Sequence, residues 1–420
     1  MLSTLSNALR IGELRKKLLY TLMMLFVFRL GVHVPVPGID VAAIRKLLES
    51  QAFVAFFDVI SGGAFKNFSI FAMSITPYIN ASIIMQLLTV VIPTLEQWAK
   101  EGIEGRKRIV EFTRYLTVVL AFIQATGIYF GLGAAIPNKG IVTYIVFVTS
   151  LTAGTAFLMW LGEQITEKGI GNGISLLIFA GIVSRIPSAL ANIQKLLAAG
   201  SINVLNVLLL VVIGALVIAG IVFIQEGQRR VPVQYAKRVV GRKVYGGQST
   251  HIPIKVNQAG VIPVIFASSL LMFPVQIAQY FPTNRFAQWF IQWFGWGSFL
   301  NTIFFALLII AFTFFYTAIT FNPVDVADNM KKYGGFIPGI RPGRPTAEFL
   351  NRIMMRLALA GGVFLALISI LPNFMMAITK IQNVYFGGTA LLIVIGVALD
   401  TMKQMEAQML MRHYQGFMRG

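Results

Sequence analysis

Apolar stretches as long as a bilayer is thick recur along the whole of this sequence, and that recurrence decides its fold class. About 20 residues of helix cross the hydrocarbon core of a membrane. Ten stretches reach that length: 17–35, 69–92, 114–134, 141–162, 173–191, 203–224, 258–280, 301–321, 355–376 and 384–402. Lipid offers no partner to a bare peptide group, so continuous apolar runs of this kind cross it as helices. Charge is correspondingly scarce. Only 12% of the 420 residues are charged, fewer than a soluble protein keeps on its surface. The first stretch carries no small-residue cleavage pattern and runs directly into "HVPVPGID", so it reads as a span rather than a cleaved signal. The expectation is an all-α polytopic membrane protein with ten transmembrane helices. Ten spans form two sets of five. An odd number reverses direction, which points to two inverted halves, residues 1–192 and 193–420, as in inverted-repeat transporters.

The basic residues orient these spans. Arg10, Arg15, Lys16 and Lys17 precede the first, and Lys100, Arg106, Lys107 and Arg108 follow the second. Arg229, Arg230, Lys237, Arg238, Arg242, Lys243 and Lys255 lie between the sixth and seventh; Lys331, Lys332, Arg341, Arg344 and Arg352 lie between the eighth and ninth. The opposite loops near 135–140, 281–300 and 377–383 hold only Lys139, Arg285 and Lys380. Basic loops stay inside, so both termini are expected in the cytoplasm. The formal charge of +19 is then partly topogenic and does not by itself imply nucleic acid.

Three segments do not fit simple crossings. Residues 53–68, "FVAFFDVISGGAFKNF", are aromatic but too short to span and are broken at Ser61-Gly62-Gly63. They read either as a re-entrant piece or as a packed external helix. Residues 226–257 hold two β-prone runs around "GRK", a hairpin-like cytoplasmic protrusion with a basic tip. Residues 322–351 contain "GGFIPGIRPGRP", which predicts a rigid, turn-rich loop without a long helix.

Chemistry-bearing patterns are sparse. The chain has no cysteine, and His33, His251 and His413 are scattered without metal-ligand spacing. No phosphate-cradling Walker loop occurs. Acidic residues such as Asp58, Glu163, Glu226, Asp325 and Asp400 fall at span ends or in loops, so an ion-coupled pump is disfavoured. No enzyme activity, no metal and no cofactor are expected, and energy for transport should come from outside the chain. A small-solute transporter of inverted-repeat design is the alternative reading, and an intramembrane enzyme a third class without a catalytic constellation.

Residues 69–88, "SIFAMSITPYINASIIMQLL", pose a sharper question, because Pro77, Tyr78, Asn80 and Gln86 interrupt an otherwise lipid-ready stretch. Ile75, Ile79 and Ile83 recur every four residues and so share one helical face. Pro77 should kink such a helix or free a carbonyl. Together with "GTAFLMWLGEQITEKGIGNGIS", "QRRVPVQYAKR", "GGQSTHIPIKVNQAGVIPVIFASS", "FNPVDVADNMKKYGGFIPGIRPGRPT" and "YFGGTALLIVIGVALD", in this order, the sequence resembles the SecY family, channel subunits of the bacterial protein translocase. The resemblance runs from about residue 12 to 415. Thr76 departs from the methionine of the enterobacterial pattern and leaves the isoleucine register intact.

The resemblance implies a central pore, a short plug helix and a lateral gate. Its waist would be a ring of Ile75, Ile79, Ile174, Ile178, Ile265 and Ile393. Any one isoleucine at helical spacing is ordinary core; six in motif context point to a seal that excludes water by dewetting. Residues 53–68, with Phe56, Phe57, Ser61, Gly62 and Gly63, would be the plug. Gln86 and Thr89 would be polar residues of the gate, or equally ordinary interhelical hydrogen-bonding groups. Arg238, Arg242, Lys243 and Arg341 would dock the SecA ATPase or the ribosome. SecE and SecG would be companion subunits, preproteins with signal sequences the substrates, and the bacterial plasma membrane the location.

Overall fold

The computed structural model describes residues 11–41, 61–131, 136, 140–235, 238–240, 243–245, 249–279, 284–295, 298–379 and 388–417. Helix dominates. Every apolar stretch of the sequence overlaps a helix: α1 (Gly12–Gly31), α2 (Thr76–Val91), α4 (Ile103–Gly131), α5 (Ile141–Lys168), α6 (Gly173–Val183) with α7 (Ile186–Ala198), α8 (Val204–Glu226), α9 (Ile262–Gln279), α11 (Phe299–Thr320), α13 (Arg344–Thr379) and α14 (Gly388–Phe417). Between them lie the shorter α3 (Pro93–Lys100), α10 (Arg285–Phe294) and α12 (Pro323–Lys332). Among the described residues six helices are long and apolar enough to cross a membrane, or seven if the bent pair α2–α3 is one span.

The chain divides into two compact units. The first comprises Met1–Val207, Ser269–Asn301 and Lys380–Gly420. Its main core joins α4 and α5 to the segment before α2: Phe68, Ala72, Met73, Ala121, Ala125, Ile128, Phe147 and Leu151 are buried together. Phe147 stacks on Phe68 at 5.7 Å and takes Tyr129 edge-on at 5.4 Å, aromatic pairings that add to the area they bury. Glycines set how closely these helices run. A Cβ at Gly154 would lie 2.0 Å from the Ile70 carbonyl, and one at Gly173 would lie 1.9 Å from that of Gly162. Small residues thus let backbones pass at a distance no side chain allows. Asn172 caps α6 by accepting from the Ser175 N–H at 3.1 Å. The same turn is held from outside: Thr21 on α1 accepts from the Ile170 N–H and Gln404 on α14 from the Gly171 N–H, both at 3.1 Å.

The second unit comprises Leu208–Ser268 and Thr302–Thr379. Strand β1 (Gln228–Tyr235) pairs antiparallel with β4 (Ser249–Lys255), from Gln228 opposite Lys255 to Gln234 opposite Ser249. Strands β2 (Arg238–Val240) and β3 (Lys243–Tyr245) form the hairpin between them, and β5 (Gly335–Phe336) joins the free edge of β1. The hairpin read from the alternating pattern is therefore present. Alternation puts Val231 and Val233 on one face. They are buried there with Ile254, Met330, Ile337 and Leu350.

Two local expectations are corrected. Residues 322–351 are not turn-rich throughout. Asn322 accepts from the Val324 N–H at 3.1 Å and Pro323 opens the first turn, so ten residues form α12 before the glycines begin. The Gly-Pro run then forms the turns, with positive φ at Gly339 and Gly343. The second apolar stretch also begins differently. Residues 61–75 run in turns, and the helix starts only at Thr76. Pro77 therefore occupies the first turn, where its missing N–H costs nothing, and does not kink a span. The break comes later, at Ile92, where Pro93 opens α3 and the axis bends by 100°.

Candidate functional site

The isoleucines chosen from the sequence sit on defined elements. Ile75 is the N-cap residue of α2; Ile79 and Ile83 share one face of it and are buried, and Ala81 and Met85 are buried on the opposite face, so α2 is covered from both sides. Ile174 and Ile178 belong to α6, and Ile393 to α14; α6 packs against α14. Ile75, Ile79, Ile178 and Ile393 are buried, whereas Ile174 is half-buried against Gly162. All five lie in the first unit. Ile265 is half-buried on α9, in the second. In α2, Gln86 donates to Ser82 Oγ at 3.3 Å and Thr89 to the Gln86 carbonyl at 2.6 Å, so both polar groups have partners within their own helix.

The segment leading into α2 is held tightly. Phe68 and Ser74 adopt positive φ (40° and 53°), a conformation that bulky residues keep only when their surroundings enforce it. At Phe68 a short antiparallel bridge enforces it: the Val36 N–H donates to the Phe68 carbonyl at 2.9 Å and the Ile70 N–H to the Val34 carbonyl at 3.0 Å; Ser74 closes its own turn, its N–H donating to the Phe71 carbonyl at 2.8 Å. At the predicted break, Gly62 and Gly63 have φ of 66° and 93°. A Cβ on Gly62 would stand 2.7 Å from Gly181 Cα. Ser61 is buried and its Oγ accepts from the Phe65 N–H at 3.2 Å. Phe56 and Phe57 lie outside the described residues.

One participant was missed from the pattern alone. Arg29, near the end of α1, donates through Nη1 to the Gly62 carbonyl at 2.7 Å and to Ser184 Oγ at 3.2 Å. The signal was available: an arginine inside an apolar stretch must find acceptors, and a Gly-Gly break exposes a carbonyl. Glu163, read as a span-end carboxylate, pairs with Arg114 Nε at 2.7 Å and so ties α5 to α4.

On the polar side, Arg341 is exposed in the turn between β5 and α13. Its carbonyl accepts from Thr346 Oγ1 at 2.9 Å, and the Ile340 N–H closes on the Ile337 carbonyl at 3.0 Å, which fixes the backbone that presents it. The strands place Arg238 opposite Tyr245 and Lys243 opposite Val240 in the β2–β3 hairpin; Arg242 lies outside the described residues.

A family model described as SecY matches residues 69–402. The protein translocase subunit SecY of Halalkalibacterium halodurans is 50% identical over 431 residues, covering 100% of both chains. This chain belongs to the SecY family. The fold agrees with solved members. A structure reported as showing that the plug domain of the SecY protein stabilises the closed state of the translocation channel and maintains a membrane seal is similar with a TM-score of 0.67 at 20% identity, over 94% of this chain and 92% of that one. Sec61 in a canine ribosome–channel complex from the endoplasmic reticulum is similar with a TM-score of 0.63 at 19% identity, over the same shares. The SecY family is thus identified by sequence over the full length, and the architecture independently by fold.

Proposed function

We propose that this chain is a protein-conducting channel, passing unfolded preproteins across the membrane and releasing hydrophobic segments sideways into it. The observation that carries this is the full-length, 50% identity to a translocase subunit. It favours the channel over the small-solute transporter, and a channel of this kind performs no covalent chemistry. The waist of the pore is the ring Ile75, Ile79, Ile174, Ile178, Ile265 and Ile393, and residues 53–68 are the plug. The buried, motif-borne isoleucines and the pinned Gly62 support both assignments. Gln86 and Thr89 belong to a lateral gate formed by α2 and α9. The halves meet at residue 192, as the five-plus-five span pattern suggests.

Both termini and the β1–β4 hairpin face the cytoplasm, a reading that the basic loops support, and the chain sits in a bacterial plasma membrane. There Arg238, Arg242, Lys243 and Arg341 dock the SecA ATPase or the ribosome, and SecE and SecG complete the channel. A ribosome-bound relative among the similar folds supports the ribosome as partner. The test is reconstitution of the chain with SecE and SecG in vesicles, with SecA and ATP added. Protease-protected preprotein is expected only in vesicles containing the chain. Uptake of a small solute without preprotein import would favour the transporter reading.

A further inference from the structure

Helix α10 is built as three sectors. At about 100° per residue, Arg285, Gln288 and Gln292 share one row, and all three are exposed. Ala287, Phe290, Ile291 and Phe294 share a second, which faces protein: Ala287 is buried and the other three are half-buried. Phe286, Trp289 and Trp293 form the third, and they are 70%, 49% and 46% exposed. Phe286 stacks on Trp289 at 6.0 Å. A helix standing in water would not leave two tryptophans and a phenylalanine uncovered beside a polar row.

The attachment of α10 fixes what covers them. Asn284 caps its start, accepting from the Phe286 N–H at 2.9 Å. Two of its last carbonyls are taken by the start of α11 and the residue before it: Ser298 Oγ donates to the Trp293 carbonyl at 2.5 Å and Asn301 Nδ2 to the Phe294 carbonyl at 2.7 Å. Asn301 is itself buried. So α10 is locked to the entry of an apolar helix whose first residue, Phe299, is 79% exposed. The hydrocarbon therefore begins within a turn of the end of α10. Tryptophan, with an apolar body and one N–H donor, settles at the boundary between acyl chains and headgroups, and a helix with adjoining polar and aromatic faces lies in that plane.

We propose that α10 lies in the membrane interface and binds phospholipid through Phe286, Trp289 and Trp293. It sets the depth at which α11 enters the bilayer. It also sets the depth at which the chain leaves α9, five residues upstream (280–284). The anchor rests on α10 and α11 within a membrane protein and stands independently of the channel reading.

The chain has five tryptophans, so the face can be isolated by fluorescence. In the complete translocase complex, Trp98, Trp160 and Trp296 are replaced by Phe and the complex is placed in phosphatidylcholine vesicles. The signal of Trp289 and Trp293 is the difference from a complex in which these two are also Phe. With bromine on the acyl chain near the headgroup, that signal is expected to lose most of its intensity; with bromine near the chain end, or with aqueous iodide, it should lose little. Dominant quenching by iodide would show a water-facing helix. Quenching mainly by deep bromine would show a buried crossing, and quenching by neither would show a protein cover. Each of these three overturns the proposal.

Discussion

A guanidinium in an apolar helix is costly unless its donors are used, and Arg29 spends them on the Gly62 carbonyl and Ser184 Oγ. Hydrogen bonds from a charged donor contribute about 1.5–3 kcal/mol each, enough to decide where a Gly-Gly turn rests. The glycines are equally constrained. At φ 66° a side chain costs about 1–2 kcal/mol in backbone strain, and at Gly62 it would also meet Gly181 Cα. Arg29→Gln should therefore loosen residues 61–63 without unfolding the α4–α5 core, because the guanidinium's hydrogen bonds go to Gly62 and Ser184, outside that core. The natural sequence has no cysteine, so Ser61→Cys gives a single buried thiol for measurement. We expect a maleimide to label it several-fold faster in the Arg29→Gln background. An equal rate in both would remove Arg29 from any role in holding this turn. Arg29→Lys should recover only part of the protection: both bonds leave the single nitrogen Nη1, which an ammonium can imitate, but the Lys nitrogen sits one bond nearer the backbone.

At the scale of elements, hydropathy alone located the long helices, because a bilayer-length apolar run has no other stable conformation in lipid. The β1–β4 hairpin was also legible, since Val231 and Val233 alternate with exposed residues. Helix starts were less so. Pro77 and Asn80 looked like mid-span interruptions because the pattern cannot show that residues 61–75 run in turns, held by the bridge at Pro35 and Ser69. Likewise α12 was hidden by the Gly-Pro run that follows it, although Asn322-Pro323 is a helix-start signal. What no local pattern reveals is the pairing of distant groups, such as Arg29 with Gly62 or Gln404 with Gly171. The hairpin base makes an element-scale test. Ile254 is fully buried with Val233, Met330 and Leu350. Ile254→Ala should cost about 2–5 kcal/mol, and the loss should stay local, since this core is separate from those of the first unit. Limited trypsin digestion should cut faster between Arg229 and Lys255 while assembled complex is recovered in normal yield. Unchanged digestion would mean that the hairpin does not depend on this core.

For the whole molecule, the proposed ring and the docking loop make opposite demands, one on sealing and one on coupling. A ring of aliphatic side chains excludes water by its bulk and offers a passing chain no polar partner. Ile79→Ser or Ile393→Ser should raise ion leak in planar bilayers and relax the need for a strongly hydrophobic signal; unchanged conductance in both would remove them from the waist. Arg341 should behave differently. It is exposed in a turn set by Gly339 and Gly343, so Arg341→Glu should disturb neither insertion nor helix packing. Lys331, Lys332 and Arg344 nearby are exposed and keep the surface basic, so long-range attraction to an acidic partner should fall only in part. The specific loss should be the oriented contact at the proposed docking site. Breaking one well-formed charged pair at an interface typically costs about 2–5 kcal/mol, part of it from the partner left unpaired, and reversing the sign adds repulsion. The mutant should therefore assemble with SecE in normal yield, measured on a native gel, yet fail to convert SecA's ATP hydrolysis into preprotein import. Normal import would exclude Arg341 from the coupling site. Low complex yield would make its role structural, because a residue that acts only in docking has no reason to be needed for assembly.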